Sequence, residues 1–114
     1  MQLLVHITNH PECVNPLLAK LMDEGISGAT VIDCKGMLES LSESNEEPPP
    51  IFGSLRQFIN PDHAPGKIIL ILLKDEDVNT VREAVHSVSG NLKKANTGIM
   101  FTLPVMGWEG VSHK

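Results

Sequence analysis

The chain has 114 residues, a net charge of -5 and a hydrophobic content of 41%, which together predict one domain over residues 1–114 with its own core. The acidic balance argues against a partner held by phosphate charge, so no nucleic acid is expected. No apolar run approaches the roughly 18 residues of a membrane-spanning helix, and the N-terminus shows no export-signal pattern, so the expectation is a soluble cytoplasmic protein with no membrane insertion. In a reducing compartment, Cys13 and Cys34 read as thiols and not as a disulfide framework.

Gln2 to Thr8 opens the chain as a strand, with Leu3, Val5 and Ile7 on one side and His6 alternating with them. Val14, Leu17, Leu18, Leu21 and Met22 then recur at helical spacing and predict one buried helix face reaching Glu24. Pro16 suits a first helical position, so the regular helix is expected from about Asn15, after an irregular turn. Gly25 is placed to end that helix in a left-handed conformation, and Gly28 permits close backbone approach before a strand from Thr30 to Cys34.

Between Gly36 and the next apolar run lie roughly thirty residues, far more than the usual connection of about 4 to 6. This arm, at about 38–66, begins with the acidic, serine-rich SLSESNEE, which has a disordered composition. Three consecutive prolines follow, and then Ile51, Phe52, Leu55, Phe58 and Ile59 at spacings compatible with a short amphipathic helix from about Ser54. Ile51, Phe52 and Phe58, with the cation Arg56 beside them, are candidates for a partner-binding patch; packing back onto the protein's own assembly is the equal alternative.

The second half repeats the plan of the first. Lys67 to Lys74 reads as a strand, Asp75 as an N-cap, Val78, Val81, Val85 and Val88 as a buried helical stripe, and Ile99 to Val105 as the last strand. The order strand, helix, strand, long arm, strand, helix, strand predicts an α+β ferredoxin-like sandwich, a four-stranded antiparallel sheet with two helices on one face. The continuous run Ile68 to Leu73 places apolar side chains on both faces of the third strand, as strands buried on both sides do. The second face therefore needs cover, and a homo-oligomer with inward-facing sheets is the expectation.

GISGATV at Gly25 to Val31, followed by Lys35 and Gly36, resembles the pattern of the PII-like signalling proteins at the end of their first helix and second strand. The resemblance extends over nearly the whole chain: the arm falls where that family has its T-loop, GNLKKANTG at Gly90 to Gly98 where it has a phosphate-holding loop, and TGIMFTLPV at its last strand. It implies a homotrimer of ferredoxin-like subunits acting as a non-enzymatic regulator in nitrogen or related metabolic control. It also implies a small anionic ligand, with an adenine nucleotide as the first candidate, held between subunits near Gly28, Thr30, Gly36 and Gly98, and a protein target contacted by the T-loop. The chain departs from the classical pattern in having no tyrosine to uridylylate, Ile99 directly after Gly98, Ser40 at the T-loop glutamine position, and Gly110 and Ser112 where arginines would face phosphate. These departures imply a divergent member, among relatives whose ligands include other adenine nucleotides, cyclic dinucleotides and small anions.

Read without the resemblance, the four ligand candidates are turn glycines and an ordinary strand threonine. Lys93 and Lys94 offer a positive environment near Gly98, with Asn96 and Thr97 as neutral donors, and a solvated loop pair is the equal reading. His10 and Cys13 could share one side of a turn, which leaves a metal-responsive trimer as a minor alternative without a third ligand in sequence. A ligand-independent interaction module is the other alternative. Trp108 in MGWEG reads as a packing anchor. No catalytic residue is expected: Thr8 to Pro11 contain no phosphate-cradling arginine, and no cysteine or serine has an evident base partner.

Overall fold

In the computed structural model, which describes residues 1–37, 40, 66–90 and 98–111, the first strand is β1, Gln2–Thr8. A 3-10 turn at Pro11–Cys13 leads into α1, Val14–Asp23, so the irregular turn ahead of Pro16 is short and the α-helix begins one residue before Asn15. β2 covers Ala29–Cys34, β3 Gly66–Leu73, α2 Val78–Ser89 and β4 Ile99–Pro104. The strands form one antiparallel sheet in the order β2, β3, β1, β4. This is an α+β arrangement compatible with the expected ferredoxin-like fold.

Register decides which side chains meet the helices. Leu4 lies opposite Ile71 and Thr102, and His6 opposite Ile69 and Met100. Side chains alternate along a strand, so these residues share one face with Leu73. That face packs against Val14, Leu17 and Leu21 of α1 and Val78, Val81, Ala84 and Val85 of α2 in a single buried cluster. Leu17, Leu21 and Val81 are almost wholly removed from water, each worth about 1.5–3 kcal/mol of transfer free energy.

The opposite face carries Leu3, Val5 and Ile7 of β1, Ile68, Leu70 and Leu72 of β3, Ile32 of β2, and Ile99, Phe101 and Leu103 of β4. Crowding by neighbours shields Val5 at its centre, but Ile99 is 58% exposed and Phe101 42%. No described helix covers this face. A contiguous apolar patch of this kind exceeds the scattered exposure normal for a monomer.

Helix ends follow local rules with one exception. The amide of Gly25, at φ +79°, donates to Met22 O at 3.0 Å, and that of Ile26 donates to Leu21 O at 2.8 Å. These paired bonds form a Schellman motif, which satisfies the last carbonyls of α1 and folds Ile26 back on the core. Asp75, expected as the N-cap of the second helix, is not one: a 3-10 turn at Asp75–Asp77 precedes α2, whose N-cap is Asp77. The Asp75 carboxylate instead receives the Met1 amine at 3.2 Å and the Gln2 amide at 3.3 Å, because the start of β1 passes beside it.

Gly66 of the predicted arm is the first residue of β3. The rest of that arm, Ser40 apart, lies outside the described residues, and the partner-binding candidates Ile51, Phe52, Arg56 and Phe58 lie there with it. Among the described residues, no helix is long and apolar enough to cross a membrane.

Candidate functional site

The sheet has two ends, and the candidate ligand residues divide between them. At the first end are the close of β1, the start of β3 and the start of β4, since Thr8 pairs with Lys67 and Ile7 with Ile99. Cys34 pairs with Gly66 there, so Gly36 and Gly98 share this end. They flank opposite edges of the sheet, because β2 and β4 are its outer strands, about 14 Å apart at three strand spacings. Gly28 lies at the other end, about 26 Å from Gly36 along an extended strand. Thr30 is exposed on the uncovered face opposite Leu70. One chain therefore brings Gly36 and Gly98 to one end and leaves Gly28 at the other.

The glycines differ in what their own chain requires of them. A Cβ at Gly98 would stand 2.5 Å from the Ile7 carbonyl oxygen and 3.4 Å from Cε1 of His6, at a φ of +115°. Glycine is obligatory there on steric grounds alone. At Gly28 and Gly36 a Cβ would meet nothing within 4 Å, and neither has a left-handed backbone. The Gly36 carbonyl accepts the Ser40 amide at 3.0 Å, so a helical bond begins where β2 ends.

His6 alternates along β1 with Leu3, Val5 and Ile7 and so lies on the other face of the strand. It is buried on the helix-covered face, and its Nδ1 lies 3.1 Å from the Ile99 carbonyl oxygen. A carbonyl only accepts, so this contact selects the tautomer with the proton on Nδ1. Burial pushes the imidazole below its ordinary value, and the Ile99 hydrogen bond offsets part of that effect. The His6 ring and Gly98 are neighbours, so β4 starts where an imidazole fills the space beside a missing side chain. Alternation of His6 with apolar residues was a signal for burial, but the partnership with position 98 had none.

The remaining candidates separate. His10 Nδ1 lies 3.3 Å from Glu12 Oε1, whereas Cys13 Sγ lies 4.0 Å from the Val88 carbonyl oxygen, so the two supposed metal ligands engage different elements. Among the described residues no three His, Cys, Asp or Glu side chains form a group able to hold a metal ion. Cys13 abuts α2, whereas Cys34 lies beside Gly66 at the edge of the sheet; no disulfide joins them. Lys67 pairs with Asp33 across β2 and β3 on the surface. Lys93, Lys94, Asn96, Thr97 and Ser112 lie outside the described residues.

Trp108, expected as a packing anchor, is 45% exposed in the single chain, and Met106 two residues before it is 96% exposed. No protein-family model matches this chain, and no curated protein does.

Proposed function

We propose that this protein is an oligomeric, non-enzymatic regulator of the PII-like type, in which a small anionic ligand bound between copies governs what a protein partner meets. The observation that carries this reading is the uncovered apolar sheet face, centred on Val5 and edged by Ile32, Ile99 and Phe101. A soluble chain that left such a face in water would associate, and copies of itself provide cover of matching shape. A homotrimer with inward-facing sheets is the arrangement proposed, within the cytoplasm.

Oligomerisation also answers the division of the ligand candidates. Gly28 can join Gly36 and Gly98 in one cleft only if one end of a sheet meets the opposite end of the next copy. That is a head-to-tail contact, and when its rotation closes it makes a ring. Gly28 and Gly36, with open space beside them, admit close approach of a ligand or of a neighbouring chain. Ligand binding across such a junction shifts the population of the connected segments by its differential affinity for their states. An adenine nucleotide or another small anion is the ligand proposed, and the arm from Leu38 is the proposed route to the partner.

Two measurements test the reading together. Sedimentation velocity should show a trimer at micromolar concentration. Calorimetry against ATP, ADP, AMP, cyclic nucleotides and cyclic dinucleotides, with and without 2-oxoglutarate and magnesium, should give one site per subunit, lost in Gly36→Trp. A trimer silent across that panel would replace the sensor with a ligand-independent interaction module. A monomer would overturn the trimeric sensor.

A further inference from the structure

We infer that His6 is a pH-sensitive latch on the start of β4: its neutral ring holds Gly98 and Ile99 against β1, and on taking up a proton it releases them while the rest of the sheet stays paired. Two contacts from one ring make the latch. Nδ1 donates to the Ile99 carbonyl oxygen at 3.1 Å, and Cε1 stands 3.4 Å from where a Cβ of residue 98 would be, so the imidazole occupies the space that glycine leaves open. β4 is an outer strand and pairs with β1 alone. Its first pair, Ile7 with Ile99, can therefore open without breaking any other, and Gly98, at φ +115°, is a residue about which the backbone turns. The latch stands apart from the oligomeric reading above, and only its bearing on a ligand held near Gly98 rests on that reading.

A proton undoes the latch because of where the ring sits. His6 is 1% exposed and, among the described residues, Nδ1 is the only one of its ring nitrogens with a hydrogen-bond partner. Imidazolium donates from both nitrogens, so a ring protonated in place would be a buried charge with an unpaired N–H. Burial accordingly disfavours the charged form, and the Ile99 bond recovers only part of that cost. β1 ends two residues on, at Thr8, so water is near. Moving the ring and the strand start toward that water costs less than keeping the cation in the core.

The surrounding groups do not compensate that charge. Within the sheet His6 faces Ile69 of β3 and Met100 of β4, and the next ionisable side chain on that face is Lys67, which is paired with Asp33 of β2. α1 and α2 turn apolar side chains toward the sheet, while Lys20 and Asp23 of the first and Arg82, Glu83 and His86 of the second are exposed. Ahead of α1, Cys13 meets the Val88 carbonyl and His10 pairs with Glu12. Among the described residues, only burial and the Ile99 carbonyl act on the His6 proton.

Amide hydrogen exchange on the ligand-free protein, followed residue by residue by NMR from neutral to acid pH, tests the latch by itself. The bond from the Val105 amide to Met1 O fixes the alternation of the ladder, so the Ile99 and Leu103 amides both point at β1. Corrected for intrinsic rate, Ile99 protection should fall by up to about tenfold per pH unit between 6.5 and the lower folded value of His6, while Leu103 and Leu4 keep theirs. His6→Gln keeps a side-chain donor for the Ile99 carbonyl but does not titrate, so its Ile99 protection should stay flat with pH. Where that variant folds poorly, the ring titration of His6 in the parent takes its place, and Ile99 protection should track it. Ile99 protection that holds while His6 titrates, that falls equally in His6→Gln, or that falls together with Leu103 and Leu4 would overturn the latch, whatever the oligomeric state or the ligand.

Discussion

Gly98 and Ile7 are bound by a steric relationship: a methyl group on the first would stand 2.5 Å from the carbonyl oxygen of the second. The clash is with backbone, at the point where the ladder between β1 and β4 begins with Ile7 opposite Ile99, and cannot be relieved by turning a side chain. The φ of +115° adds its own strain for any L residue. Gly98→Ala should therefore cost on the order of 3 kcal/mol, read as a lower urea midpoint at unchanged slope. A variant as stable as the parent would show that β4 can begin differently.

Gly25 tests a local rule in isolation. Its left-handed φ of +79° closes α1, and open space surrounds it, so only backbone strain opposes a side chain. Gly25→Ala should cost about 1–2 kcal/mol, and Gly25→Asn less, because asparagine tolerates this conformation. Equal losses for the two would point to packing and not to backbone.

Acid should act on stability in two separate windows. Burial holds the folded-state pKa of His6 below 6.5, so between those two values the unfolded chain binds more protons than the folded one. Stability from this group is complete above about 6.5 and falls as pH drops through the window beneath it. The Met1 amine and the Gln2 amide hold Asp75 below its ordinary 3.8, so its contribution is present above that value and lost as pH falls through the lower folded one. Urea midpoints measured from neutral to acid pH should lose the upper slope in His6→Gln and keep the lower one. An unchanged upper slope would assign that window to another group.

The uncovered face makes a prediction about assembly. Phe101→Glu places a charge on a residue already 42% exposed in the single chain, so circular dichroism should change little. Burying that charge between copies without a partner costs several kcal/mol, and sedimentation should shift toward monomer. A conservative Phe101→Leu should retain assembly. Equal behaviour of both would place the contact elsewhere.

The arrangement of strands and helices was legible in residue order because each element carries its own period. Leu17 and Leu21 announce the buried side of α1, and Gly25 its stop, through contacts within a few residues. The same local signals located β1 to the residue. Asp75 was misread because capping depends on a few neighbouring dihedrals, whereas the amine that claims its carboxylate arrives from the other end of the chain. The ligand candidates were legible only as a pattern along the chain, which says nothing of their separation in space.

Periodicity and glycine placement thus determined which segments become helix or strand and which side of each helix is buried, since those choices are made over one or two turns of chain. Only tertiary structure decided that Gly28 and Gly36 lie at opposite ends of one sheet, that His6 fills the space Gly98 leaves, and that Met106 and Trp108 face water. Those are relations between residues brought together by strand register, and register is set by the whole sheet at once.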